Sequence, residues 1–122
     1  RKYQNGTFLG QFIAKAEPDY HGTLSGGRSI YFEAKSTSTK RLKQDVVTQE
    51  QKKKLDAHTV LGAYTGVCAC IQYEFFFIPW DVWRHMGEHF GHKYVTAEEI
   101  QSYRVVYNGA VMFLDYARDF KR

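Results

Sequence analysis

The sequence predicts a mixed α/β (α+β) domain, with a central mixed β-sheet flanked by helices. Three observations predict it. Two segments rich in Phe, Ile and Tyr lie early, on either side of a glycine-rich turn. A polar, helix-forming segment separates them from a third, nearly continuous apolar strand. Helix-start signals follow that strand, so helices are interspersed with strands rather than segregated from them.

The first strand is read over residues 8–15 (FLGQFIAK), which alternate loosely. Pro18 ends it, because proline has no N–H for a ladder. Residues 22–27 (GTLSGG) form a turn with Gly26-Gly27 at its tip. The second strand covers residues 29–35 (SIYFEAK). Strand periodicity puts Ile30, Phe32 and Ala34 on one face, expected to be buried, and Tyr31, Glu33 and Lys35 on the other. Residues 36–39 (STST) are polar and read as loop.

Residues 46–61 turn helical, with Thr48 and Gln51 spaced as a capping box and a weak apolar face of Leu55, His58 and Leu61. Residues 66–73 (GVCACIQY) form a buried strand, and 74–78 continue it or begin another. Pro79-Trp80-Asp81 opens a helix expected to run to about His89. Thr96 and Glu99 are spaced as a second capping box. Beyond it we expect a short strand over 104–107, a turn at Asn108-Gly109 and a terminal helix over 113–120.

At 122 residues the chain is expected to be a single domain. Its 43% hydrophobic and 25% charged residues are ordinary for a globular protein. The longest apolar run, residues 75–80, is strand-sized, far short of the roughly 20 residues that span a bilayer. No partner membrane is therefore expected. The chain starts on Arg1, without a Met or a leader pattern, which leaves room for a missing N-terminal element. Its two cysteines, Cys68 and Cys70, point to the same side of a strand, a poor geometry for a disulfide. A reducing, cytoplasmic setting fits them.

The net charge is +4 and the pI about 9.1. The positive charge is clustered at Lys40, Arg41 and Lys43, then at Lys52, Lys53 and Lys54. A basic stripe suits a polyanion such as nucleic acid; a solvated helix face is the alternative. His85, His89 and His92 would share a face of a continuous helix and, with the cysteines, suggest zinc. Gly87 and Gly91 weaken such a helix, so surface or core-edge histidines are the simpler reading. The aromatic group Phe75, Phe76, Phe77, Trp80 and Trp83 suits stacking on bases, but a core or a dimer seam is the stronger reading.

The residues that carry chemistry are Pro18-Asp19 and Glu33-Ala34-Lys35. Phosphodiester hydrolysis needs carboxylate oxygens for a hard divalent cation and a nearby cation to hold water or stabilise charge. Glu33 and Lys35 share a strand face. The intervening hairpin can bring Asp19 opposite Glu33, and the carbonyl of Ala34 is a further candidate ligand. An isolated E-x-K is usually a surface ion pair; the upstream P-D is what makes this one specific.

This P-D…E-A-K pattern resembles the PD-(D/E)XK nuclease signature. The wider strings, Pro18-Asp19-Tyr20-His21-Gly22 and Ile30-Tyr31-Phe32-Glu33-Ala34-Lys35-Ser36-Thr37, resemble the RecU-type Holliday junction resolvases, with Gln51 at the helix position and Gly66-Val67-Cys68 opening the next strand. The resemblance, which covers about residues 8–80 and is loose beyond Trp80, implies a restriction-endonuclease-like core in the single domain of residues 1–122. It further implies a homodimeric endodeoxyribonuclease dependent on Mg²⁺, with Mn²⁺ able to substitute, that cuts four-way (branched) DNA junctions during recombination and repair. Asp19, Glu33, Lys35 and Gln51 would be the catalytic set, with Asp19, Glu33 and Ala34 on the metal. Arg28, Lys40, Arg41, Lys43, Lys52 and Lys53 would track phosphates.

The chain departs from the family pattern in having no legible N-terminal helix and only a short segment before Asp19. A compact protein of a bacterial or phage-infected cell would fit. The alternatives are another PD-(D/E)XK restriction or repair endonuclease, and a catalytically silent module that binds branched DNA.

Overall fold

The structure, a computed structural model, describes residues 2–3, 10–12 and 20–105, the first two stretches as backbone alone. Six strands form one sheet in the order β1-β2-β3-β4-β6-β7. They are β1 (Lys2–Tyr3), β2 (Gly10–Phe12), β3 (Tyr20–Thr23), β4 (Ser29–Thr37), β6 (Tyr64–Ile71) and β7 (Glu74–Pro79). Only β4 and β6 run parallel; every other neighbouring pair is antiparallel. The expected mixed sheet is therefore present. β5 (Arg41–Lys43) pairs with β8 (Tyr94–Thr96) in a separate two-stranded ribbon.

The β3–β4 hairpin closes where expected. Gly26 and Gly27 take φ of +96° and +98°, values that favour glycine. Leu24 N–H donates to the Arg28 carbonyl at 2.7 Å and seals the base of the turn. The β6–β7 junction resolves the other open question, because residues 74–78 begin a new strand. Ile71 pairs with Glu74, leaving a two-residue loop of Gln72 and Tyr73.

A parallel pair needs a crossover, and α1 (Gln49–Val60) supplies it between β4 and β6. The expected capping box is made: Thr48 Oγ1 accepts from Gln51 N–H at 3.2 Å, and Gln51 Oε1 accepts from Thr48 N–H at 3.0 Å. At the other end Gly62 (φ +100°) stops the helix; its N–H donates to the Thr59 carbonyl, and Ala63 N–H to that of His58, a Schellman pattern.

A helix of this length is marginal on its own, and α1 buries only Leu55. Polar anchors hold it instead. Thr59 Oγ1 lies 2.6 Å from Thr65 Oγ1 on β6. Asp56 Oδ1 accepts from Trp80 Nε1 at 2.8 Å and from Arg84 Nε at 3.0 Å.

The sheet separates two cores. Val67, Ala69, Ile71, Phe76 and Ile78 meet Leu55, Trp80, Trp83 and Met86 on the α1 side. Ile30, Phe32, Tyr64 and Phe77 pack together on the other. The aromatic group is thus mostly core, the stronger of its two readings, rather than a stacking surface: Phe76, Phe77, Trp80 and Trp83 are buried.

Some expectations need correction. Ala34 does not join Ile30 and Phe32 in a buried face; it is exposed, because the second core covers only the first half of β4. The helix after Pro79 does not run unbroken to His89. It divides at His85 into α2 (Trp80–Arg84) and α3 (Met86–Phe90), so the three histidines do not share a helix face. Of the strand expected over 104–107 only 104–105 are described, where Arg104 bridges Phe76 and Val105 N–H donates to the Phe75 carbonyl at 2.9 Å. The turn at Asn108-Gly109 and the helix over 113–120 lie outside the described residues.

Candidate active site

β4 is central, with β3 on one side and β6 on the other. Its side chains alternate between the two cores. Tyr31, Glu33 and Lys35 take the α1 side, beside Thr65, Val67 and Ala69 of β6. Glu33 is 0% exposed, the only charged side chain fully buried among the described residues. Burying a carboxylate is expensive unless something compensates its charge. Lys35, two residues on and partly exposed, brings an ammonium to the same face at its open end.

The site has a stacked aromatic wall beneath it. The Tyr31 ring lies 3.6 Å from that of His58 on α1, nearly parallel at 13°. On its other flank His21 of β3 stacks on Tyr31 at 5.4 Å and 20°. This column fixes α1 across β3 and β4 beside Glu33. Sequence reasoning missed it. The signal available was the alternation that places His21 and Tyr31 on the face of Glu33; no pattern links His58 to them across the crossover.

Asp19 lies outside the described residues. The β3–β4 register reads Tyr20 against Phe32 and His21 against Tyr31, so Asp19 and Glu33 are each the next residue after the last described pair. Gln51 stands in the first turn of α1, where its Oε1 is committed to the Thr48 cap.

The candidate phosphate-tracking residues fall into three groups. Arg28 is at the start of β4; its Nε donates to the Gly62 carbonyl at 3.1 Å, and its guanidinium lies 5.5 Å from the Tyr64 ring centre. Lys40, Arg41 and Lys43 are exposed at and beyond the other end of β4. Arg41 stacks over Tyr94 at 4.3 Å, and His92 stacks on the same ring at 3.8 Å. Lys52 and Lys53 are on α1, where Lys52 lines a pocket of about 90 Å³ with Gln44, Trp80 and Trp83.

The donors present suit divalent-metal chemistry. Glu33 offers hard carboxylate oxygens, and the exposed Ala34 adds a backbone carbonyl within the same strand; both suit Mg²⁺ rather than a soft metal. Among the described residues no group of three His, Cys, Asp or Glu side chains forms a metal site. The zinc alternative gains no support, because the break at His85 keeps the three histidines off a common helix face. His85 Nδ1 is 2.9 Å from the Asp81 carbonyl and His92 Nε2 2.8 Å from Glu99 Oε2, so each ring has a local partner. Burial, with Cys70 beside it, pushes the Cys68 thiol up to about 12, which disfavours the thiolate a nucleophile needs.

The model of the family "RecU: Recombination protein U" matches residues 1–122. The chain belongs to the RecU family. Of the solved structures, it resembles Hjc, a Holliday junction resolvase from Archaeoglobus fulgidus, with a TM-score of 0.56 at 16% identity. That likeness covers 79% of this chain and 75% of the Hjc chain, and it shows a shared fold. No curated protein matches the sequence. Family membership makes this RecU-family chain a nuclease of DNA recombination, a Holliday junction resolvase. Among the described residues no helix is long and apolar enough to cross a membrane.

Proposed function

We propose that the chain hydrolyses phosphodiesters at four-way DNA junctions with a Mg²⁺-dependent site built on β4, and that it does so as a homodimer in the cytoplasm. The observation that carries the reading is the fully buried Glu33 carboxylate, two residues from Lys35 on the face that α1 covers. A further rung of the β3–β4 register would set Asp19 against Glu33, and with the Ala34 carbonyl complete an oxygen-donor set.

When bound, a divalent ion in that set supplies polarisation of the scissile phosphate and a lowered pKa for water. The chain's own residues do the rest. Asp19 and Glu33 fix the donor oxygens, and burial of Glu33 excludes competing water. The Lys35 ammonium holds the attacking water and offsets charge that develops on the phosphate. Gln51, in the first turn of α1 with its Oε1 held by the helix cap, leaves Nε2 as the donor that would orient the water. Lys40, Arg41, Lys43, Lys52 and Lys53 track phosphates on the flanking arms, and Arg28 does so from the opposite end of β4. The symmetry of a four-way junction matches two sites in a two-fold dimer.

The test is cleavage of a labelled immobile four-way junction beside a linear duplex of the same sequence, with Mg²⁺ or with EDTA. Paired nicks confined to the junction and dependent on Mg²⁺ are expected. Asp19→Asn and Glu33→Gln should each abolish cutting and leave junction binding within a few-fold of wild type. Cutting at the wild-type rate by either variant refutes the site; equal cutting of both substrates refutes junction selectivity.

A further inference from the structure

Most of the aromatic residues that the sequence offers for stacking are interior, yet one ring elsewhere is almost entirely in water. Tyr73 is 92% exposed. It sits at the tip of the β6–β7 hairpin with φ of +73°, next to Gln72 at +50°. A two-residue loop with positive φ at both positions favours Asn-Gly or Gly-Gly, because side chains are strained there. Here an amide and a large aromatic take both positions. The ring gains nothing from packing, and the backbone is strained to present it. A strained, solvent-facing aromatic points to a ligand.

Topology says where that ligand lies. β4 and β6 are parallel, and their last pair is Thr37 with Ile71. Gln72 N–H donates to the Thr37 carbonyl at 3.1 Å, tying the tip to the C-terminal end of β4. Thr37 is two residues beyond Lys35 and four beyond Glu33, about 7 and 13 Å along a strand. The chain then turns through exposed Ser38, Thr39 and Lys40 to exposed Arg41. The neighbouring Glu74 carboxylate faces away, accepting from Gln101 Nε2 at 3.2 Å. Ligands of open α/β sheets bind beyond the carboxyl ends of parallel strands. That end presents the exposed Tyr73 ring and, just beyond β4, the cations Lys40 and Arg41, the latter held over Tyr94 at 4.3 Å. A π-face beside phosphate-binding cations suits a nucleobase that has lost its stacking neighbour. At the branch point of a junction such bases are available; in an intact duplex they are not.

We propose that Tyr73 is a stacking wedge that receives an unstacked base at the branch point and sets the junction against β4. The proposal rests on the reading that this chain acts on junctions. It makes Tyr73 a positioning residue, not a catalytic one.

The experiment measures binding of wild type, Tyr73→Ala and Tyr73→Phe to a four-way junction carrying 2-aminopurine at the branch point. A linear duplex of the same sequence serves as reference, with EDTA present so that nothing is cut. The wild type should bind the junction more tightly than the duplex and quench the fluorophore. Tyr73→Ala should lose about tenfold in junction affinity, the lower end of what one stacked base contributes, and most of the quenching, with duplex affinity unchanged. Tyr73→Phe, which keeps the ring, should restore both. Wild-type junction affinity and quenching in Tyr73→Ala would overturn the wedge while leaving the resolvase reading intact. A wild-type protein with no preference for the junction would overturn that reading and the wedge with it. Equal weakening on both substrates, with loss of the dimer in sedimentation, would make the ring a contact between copies and overturn the proposal.

Discussion

Replacing Gly66 with alanine tests the packing beneath the candidate site. Gly66 lies on β6 between Phe32 of β4 and Pro79 of β7. A Cβ there would sit 2.6 Å from the Ile78 carbonyl oxygen and 2.7 Å from Phe77 Cζ. The first contact is backbone within the same sheet and cannot swing aside. The second is a fully buried ring, held edge-on to Phe32 at 5.9 Å and stacked on Tyr64 at 5.4 Å. Neither neighbour can yield without moving a strand or a core side chain, and overpacking of this kind costs about 1–3 kcal/mol. For a domain of this size that corresponds to roughly 4–12 °C in Tm. Thermal and urea unfolding would measure it. Gly66→Ala in a Phe77→Leu background should cost less, since only the carbonyl contact remains. Because Val67 is the next residue and pairs with Glu33, cleavage should fall as well. A Gly66→Ala protein within about 0.3 kcal/mol of wild type would refute the reasoning.

Two further outcomes follow from the contacts around α1 and β6. Asp56→Ala removes the acceptor of the buried Trp80 N–H and should destabilise by about 1–3 kcal/mol in urea melts. The Arg84 pair, 41% and 35% exposed, adds at most a few tenths to that. Trp80→Phe in the Asp56→Ala background should recover part of the loss, and no recovery would count against the hydrogen bond. The Cys68 thiol, raised from 9.0 to about 12 by burial and then by Cys70, keeps its proton in the folded chain where the unfolded chain has lost it. The unfolded state therefore binds fewer protons above pH 9, so this contribution is whole below pH 9 and is lost as pH climbs toward 12. Unfolding midpoints across that range should fall more steeply for wild type than for Cys68→Ala.

Local signals in the sequence were reliable where local physics decides the structure. The Gly26-Gly27 turn, the Thr48–Gln51 box and the helix start at Pro79 each depend on a few adjacent residues, and each is present. The alternation along β4 separated Glu33 and Lys35 from Ile30 and Phe32. It failed at Ala34, because burial depends on what covers a strand, and the second core ends before that residue. The break at His85 was hidden for a similar reason. Nothing in the apolar spacing signals that the chain changes direction there. The His21–Tyr31–His58 column was also illegible, since it joins three elements whose proximity exists only after the crossover forms. Tyr73 was read as the end of a buried strand; only the register of β6 and β7 shows it at a tip.

The parallel pairing of β4 with β6 also bears on when the protein can act. Glu33 and its rung partner Val67 are separated by the whole of α1 and the β5 segment. No short stretch of chain can assemble that rung, and the loop must close before the contacts reward it. The covered carboxylate thus comes into being only with the cooperative fold. A nascent or partly unfolded chain holds the same acidic and basic residues without their arrangement. With the proposed site on β4, hydrolytic competence would be tied to completion of folding, and DNA near an unfinished copy would be spared without any separate inhibitor.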